Sequence, residues 1–218
     1  MAMRLQEVHP SLVHYPLAFL PTTLACDTLG KLTGSRTLLN IGRYGMAMTA
    51  GSVALAGVFG LIAQQEVNAR GEAGAMLTTH RNLNLALLGM TTAMAASRIR
   101  RKKPTMRYLL TGLGGLGAAL YSAYLGGKMV YEHGVGVAAA GGLKEGHAPE
   151  ITPSTLEEVA RHAASDVRDG VERAAKNLAE GPYIPAITAQ EPRQPARRTG
   201  GASEQAGTRG SVEERPRP

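Results

Sequence analysis

Four histidines fall where the chain passes between polar and apolar composition. His9 and His14 open one apolar stretch, His80 opens a second and His133 closes a third. An ionisable side chain at the edge of a membrane-length segment is costly to place and usually marks a site. Neutral imidazole ligates haem iron and several transition metals, so residue type alone leaves b-type haem, zinc and iron open. A haem held by two histidines needs them on different helices, facing each other across the ring; His14 with His80, or His80 with His133, meets the first condition. As ligands of a non-haem metal, His14, His80 and His133 are the candidates. His9 and His14 point to different faces if one helix runs through both, and Pro10 favours a helix start beside His9. Taken singly, each histidine equally fits a hydrogen bond to water, a headgroup or a carbonyl.

Other groups at the same level extend the candidate site. Arg81 and Lys128 could pair with haem propionates or anchor to lipid phosphates, and Asn82 and Asn84 could orient ligands or satisfy backbone at a helix start. Asp27 could relay protons, or cap a helix end together with Lys31. His147 and His162 lie in the polar tail and read as solvated. No Cys-x-x-Cys-His motif occurs, which excludes covalent c-type haem. No Gly-rich phosphate loop or Ser/His/Asp arrangement can be argued from spacing, so no reaction is assigned and whether the chain is an enzyme stays open.

The elements that must position these residues are apolar segments. Crossing the hydrocarbon takes about 20 residues, and four stretches qualify: 10–30, 43–65, 79–98 and 107–130. The second is built from Ala, Gly, Thr and Met and reads as weakly hydrophobic, suited to close helix packing. The fourth carries Gly114, Ala118, Ser122 and Gly126 at a spacing of four, a small-residue stripe for the same purpose.

Basic residues set the direction. Lys31, Arg36 and Arg43 lie between the first and second segments, and Arg98, Arg100, Arg101, Lys102, Lys103 and Arg107 between the third and fourth. The opposite side offers Arg4, Arg70, Arg81 and Lys128, offset by Glu7, Glu66, Glu72 and Glu132. The positive-inside rule places both basic loops in the cytoplasm and both termini outside. Helix rise then puts His80 about 27 Å from Arg98, His14 about 26 Å from Lys31 and His133 about 39 Å from Arg107. All four histidines therefore fall in the outer boundary layer. A cleaved signal ending near Thr23-Leu24-Ala25-Cys26 is disfavoured by the near-neutral amino-terminal flank and by Pro16 and Pro21.

Composition agrees. The net charge of +7 would suggest nucleic acid in a soluble protein, but much of it sits in the one cluster between apolar segments, and no nucleic-acid partner is expected. Trp is absent and Phe occurs only twice, which argues against a large aromatic soluble core. Cys26 stands alone, excluding an intramolecular disulfide. Ser154-Thr155-Leu156-Glu157 reads as a capping box opening a helix to about Leu178. Its apolar stripe is Leu156, Val159, Ala163, Val167, Val171, Ala174 and Leu178, and Gly170 weakens it. This helix could dock on a partner, lie on the membrane, pair with itself or stay solvated. From Gly181 onward the chain has few large apolar residues and reads as disordered.

The stretch HPSLVHYPLAF at 9–19, His80 with Asn84, and GGKMVYEHGVGV at 126–137 resemble a bacterial multi-pass membrane family, domain of unknown function 2231. The resemblance covers about residues 5–140. It selects His9, Pro10, His14, Pro16, His80, Gly126, Gly127, His133, Gly134 and Gly136. Some relatives are fused to Rieske iron–sulfur or cytochrome-type domains, which implies a redox setting. The tail here has no cysteine, so it is no Rieske module and any electron acceptor is a separate protein. The expectation is an all-α fold: an integral four-helix membrane bundle over 1–140, a linker and amphipathic helix over 141–180, and a disordered tail over 181–218. It would sit in the bacterial inner membrane and bind b-type haem for electron transfer through His9, His14, His80 and His133, with Arg81 and Lys128. The alternatives are a zinc or non-haem iron site and a cofactor-free scaffold. The bilayer and a redox protein are its expected partners, and a homo-oligomer is left open.

Overall fold

The structure is a computed structural model that describes residues 3–144 and 148–188. Among the described residues it is all-helical, with two isolated bridges and no strand. A 3-10 turn, Leu5–Glu7, leads into the short helix α1 (Val8–Leu12), and five long helices follow. These are α2 (His14–Thr33), α3 (Arg36–Glu66), α4 (Gly71–Arg100), α5 (Met106–Tyr131) and α6 (Leu156–Glu180), with a last turn, α7 (Pro185–Thr188). Each of the four expected apolar segments corresponds to one of α2 to α5. The helices run beyond most of the segment ends because polar residues there continue the hydrogen-bond ladder until a cap stops it. Gly34, at φ +73°, closes α2 in the left-handed conformation, and the Ser35 hydroxyl accepts from the Leu38 N–H to start α3. Thr105 caps α5 in the same way through the Tyr108 N–H.

Helix α2 packs on α3, α3 on α4, α4 on α5, and α5 returns to α2. Polar side chains are buried within an apolar core, and large apolar side chains also cover the exterior. Asp27, Thr49, Thr79, Thr91 and Arg98 are buried, whereas Leu32, Tyr44, Met48, Leu110, Leu113 and Leu120 face outward. So much outward apolar surface suits lipid and would drive association in water. The buried hydroxyls are satisfied within their own helices, Thr49 on the Gly45 carbonyl, Thr79 on Ala75 and Thr91 on Leu87. Helices α3 and α5 are long and apolar enough to cross a membrane. Contrary to the expectation from its small residues, α3 carries the more apolar span of the two, because Val53, Leu55, Val58, Phe59, Leu61 and Ile62 are interleaved with them.

One buried network joins all four of these helices at the end that carries the basic turns. Arg98 of α4 donates from Nε and Nη2 to Asp27 Oδ1 of α2, at 3.0 and 2.7 Å. It also donates from Nη2 to the Leu39 carbonyl of α3 at 2.8 Å, and Tyr108 of α5 donates its hydroxyl to Asp27 Oδ2 at 2.8 Å. Arg98 is 1% exposed and Asp27 fully buried. Asp27 is thus the partner of Arg98 rather than a cap with Lys31, and Arg98 is a core residue rather than a loop charge. Gly42 is needed beside them: a Cβ there would lie 2.2 Å from Asp27 Oδ1.

The small residues of α5 make contact, though on a different line from the one expected. Added Cβ atoms at Gly112 and Gly115 would strike Leu24 and Met90, while Gly114 faces open space. A spacing of exact fours drifts around a helix of 3.6 residues per turn, so the line that stays on the interface runs Gly112, Gly115, Ala119, Ser122, Gly126.

Helix α6 docks on the chain's own α3, and α7 on α4. Its buried face is Val159, Asp166, Gly170 and Ala174, while Leu156, Val171 and Leu178 of the expected stripe are exposed. Gly170 sits where a Cβ would lie 2.9 Å from Gln64 Nε2 and 3.1 Å from Leu61 Cβ, so it permits the close approach of the two helices. The capping box does not form: Thr155 caps no N–H of α6, and its hydroxyl donates to the Glu150 carbonyl. Residues Tyr183–Thr188, in the stretch expected to be disordered, pack on α4. Tyr183 accepts from Asn82 Nδ2 at 2.7 Å, and the Ala186 N–H donates to Thr79 Oγ1 at 2.9 Å. The rest of that stretch, 189–218, lies outside the described residues.

Removing one member of the buried pair strands the other charge. Arg98→Ala is expected to lower stability by about 3–5 kcal/mol, with the Asp27→Leu/Arg98→Leu double variant less damaged than either single one; thermal unfolding in detergent followed by circular dichroism measures both. Glycine-to-alanine changes should split by position. At Gly51, with no atom within 4 Å, the melting temperature should rise in line with a helix-propensity gain of up to about 1 kcal/mol. Gly42→Ala, pressed against Asp27, should lower it instead.

Candidate functional site

The histidine end of the helices is opposite the basic turns. Val13, between α1 and α2, keeps helical backbone angles (φ −64°, ψ −20°), so His9 and His14, five positions apart, fall on different faces, and α1 packs on α3. His9, on α1, sits against α3, with its Nδ1–H donating to the Ala56 carbonyl at 3.0 Å. Position 60 is tight: a Cβ there would lie 3.0 Å from His9 Cε1, so the imidazole would have to shift to admit one. His14, the first residue of α2, faces outward, with Nδ1 3.3 Å from the Ser11 carbonyl.

His80, on α4, is held by α5. Its Nδ1–H donates to the Ser122 carbonyl at 2.8 Å, and the Ser122 hydroxyl lies 3.0 Å from the same nitrogen. Asn84 fixes that hydroxyl by donating to it at 2.9 Å, and also donates to the His80 carbonyl. Gly126 passes close by, where a Cβ would lie 3.5 Å from His80 Cε1. A carbonyl can only accept, so both His9 and His80 carry their proton on Nδ1, which leaves Nε2 with its lone pair. The two rings lie edge to face with centroids 6.5 Å apart.

The pairing across helices is therefore His9 with His80, in place of His14 with His80 or His80 with His133. His133 lies in the turn after α5, its Nε2 buried without a hydrogen-bond partner. That turn is built on Gly134 and Gly136, at φ +64° and +79°, and on the Val135 N–H donating to the Met129 carbonyl. His14, His80 and His133 form no cluster of metal-ligating atoms among the described residues. Lys128 is paired with Glu132 at 3.2 Å, and Arg81 donates to the Asn82 side chain. Asn84 orients the His80 shell, while Asn82 holds the tail.

A separate group does cluster. Glu66 at the end of α3 and His162 and Asp166 on α6 bring their ligand atoms within 4.8 Å of one another. His162, expected to be solvated, is thus half-buried against Glu66; His147 lies outside the described residues. Burial pushes the Asp166 carboxyl above the usual carboxylate range, with Glu66 and Asp169 adding to the rise and His162 opposing it. Neither Ser122 behind His80 nor the Glu66 group stands out in the sequence. Serine in an apolar helix reads as packing, and nothing local links Glu66 to residues about a hundred positions on.

No curated protein and no solved structure matches the chain. The family model described as "Predicted membrane protein (DUF2231)" matches residues 6–139, which takes in the HPSLVHYPLAF, His80 and GGKMVYEHGVGV motifs and helices α1 to α5. With more than half of its length inside that model, the chain belongs to this family of predicted membrane proteins.

Proposed function

We propose that the protein is a multi-pass inner-membrane protein in which His9 of α1 and His80 of the four-helix bundle α2 to α5 would hold a b-type haem at the outer face, for electron transfer. The observation that carries this reading is the pair itself. Two imidazoles on different helices each have Nδ1 tied to a carbonyl, leaving both Nε2 atoms unbonded, the arrangement that orients metal-ligating histidines. Two imidazoles sharing one metal ion at about 2 Å each have centroids about 6 Å apart, close to the 6.5 Å here. The donor count favours haem over a bare ion. Zinc takes three or four protein ligands, and no third metal-ligating side chain joins this pair among the described residues. Haem brings its own equatorial nitrogens and asks the protein for one or two.

In this reading the haem supplies a one-electron couple. The chain's own residues set its conditions: the Ala56 and Ser122 carbonyls hold the rings, and Asn84 keeps the Ser122 hydroxyl in place. Both imidazoles are partly buried among the packed helices. The basic turns lie in the cytoplasm and the histidine end outside, by the excess of Lys and Arg at the former.

Full-length protein expressed with haem supplied and purified in detergent should show a Soret band and sharpened reduced bands. His9→Ala and His80→Ala should each abolish the bis-histidine spectrum, while His14→Ala leaves it intact. Absence of any Soret band, or loss with His14→Ala and retention with His9→Ala, rejects the assignment. Asn84→Leu should weaken haem retention about tenfold without unfolding the protein, read as haem transfer to apomyoglobin.

A further inference from the structure

Beyond the paired histidines, we infer that Glu66, His162 and Asp166 form a second, independent site for a divalent transition-metal ion of the zinc class, which clamps α6 onto the histidine end of α3. The donor set is one imidazole and two carboxylates, each contributing one atom. His162 Nε2 lies 3.0 Å from Glu66 Oε1 and 3.4 Å from Asp166 Oδ2. Ligand atoms around one ion at about 2.1 Å sit about 3.0–3.4 Å apart in octahedral and tetrahedral shells. His162 Nε2 is thus spaced from each carboxylate oxygen as neighbours in one shell are, and all three atoms lie within 4.8 Å of one another.

The independent sign of a missing ligand is Asp166. It is 7% exposed, and its Oδ2 faces the cluster with no hydrogen-bond partner. Glu66 is 3% exposed, so two carboxylates are withdrawn from water around one imidazole. A single His162 proton answers Glu66 and leaves Asp166 unmet, whereas a dication answers both. Lys144 donates its ammonium to the Gln65 carbonyl and acts on Asp166 through its charge, without a hydrogen bond to Oδ2. Two of the three ligands lie beyond residues 6–139, so the site is a property of this chain's tail rather than of the family's core. Its consequence is positional. Helix α6 leads directly into Tyr183 and Ala186, which bond Asn82 and Thr79 on either side of His80. An ion at Glu66 would hold this cover in place.

The test is zinc titration of the full chain in detergent after chelator treatment, with bound metal measured by elemental analysis and α6 followed by hydrogen exchange. Wild type should take up one zinc that slows exchange across residues 159–174. Asp166→Asn, which keeps shape and hydrogen bonding, and His162→Ala should each weaken that zinc by at least about tenfold and remove the protection. His9→Ala and His80→Ala should leave it unchanged, so failure here is distinguishable from failure of the haem assignment. Zinc binding of equal strength in wild type, Asp166→Asn and His162→Ala overturns the proposal, as does a wild type that binds none.

Discussion

Asp27 and Arg98 hold each other in an interior where either charge alone would be intolerable, and the register of the four long helices follows from that pairing. Removing two charges from water costs several kcal/mol per ion and is recovered only with close geometry and further hydrogen bonds. Here α2 gives the carboxylate, α4 the guanidinium, α3 the Leu39 carbonyl and α5 the Tyr108 hydroxyl. Sliding any helix by one turn, about 5.4 Å, would break a bond to a buried charge. Lipid-facing apolar surface exerts no comparable preference for register, since hydrocarbon is as apolar as the side chains that face it.

Helices are stiff, so register fixed at one end is carried to the other. His80 lies on α4 with Arg98, and its Ser122 anchor lies on α5 with Tyr108. The Ala56 carbonyl that holds His9 lies on α3 with Leu39. The pair of imidazoles at 6.5 Å is therefore set by the same helices that converge on the ion pair. The tail then closes over this end through Asn82, Thr79 and the Gly170 approach to Leu61.

Local chemistry was readable in the chain, and long-range pairing was not. Four apolar stretches gave the helices α2 to α5, while the caps at Ser35 and Thr105 emerged only from the structure. The histidine motif was visible too, but it named four candidates, and only the packing of α1 on α3 shows that His9 faces inward and His14 outward. Arg98 looked like its basic neighbours, because nothing in its surroundings points to a carboxylate 71 positions away. Gly170 read as a weak point in a helix, and it proved to be the place where another helix comes nearest. Glu66 read as an outward-facing charge, although it is buried against α6. Each of these misreadings has one cause: the partner sits on a different helix, and periodicity within one helix carries no record of it.

The central claim is that His9 and His80 together ligate one iron. Low-temperature electron paramagnetic resonance of the oxidised, haem-supplied full chain tests it most directly, because two imidazole ligands force a low-spin ferric state. The account predicts a low-spin signal in wild type that turns high-spin or vanishes in both His9→Ala and His80→Ala. A high-spin signal in wild type, or a low-spin signal that survives either substitution, would contradict it.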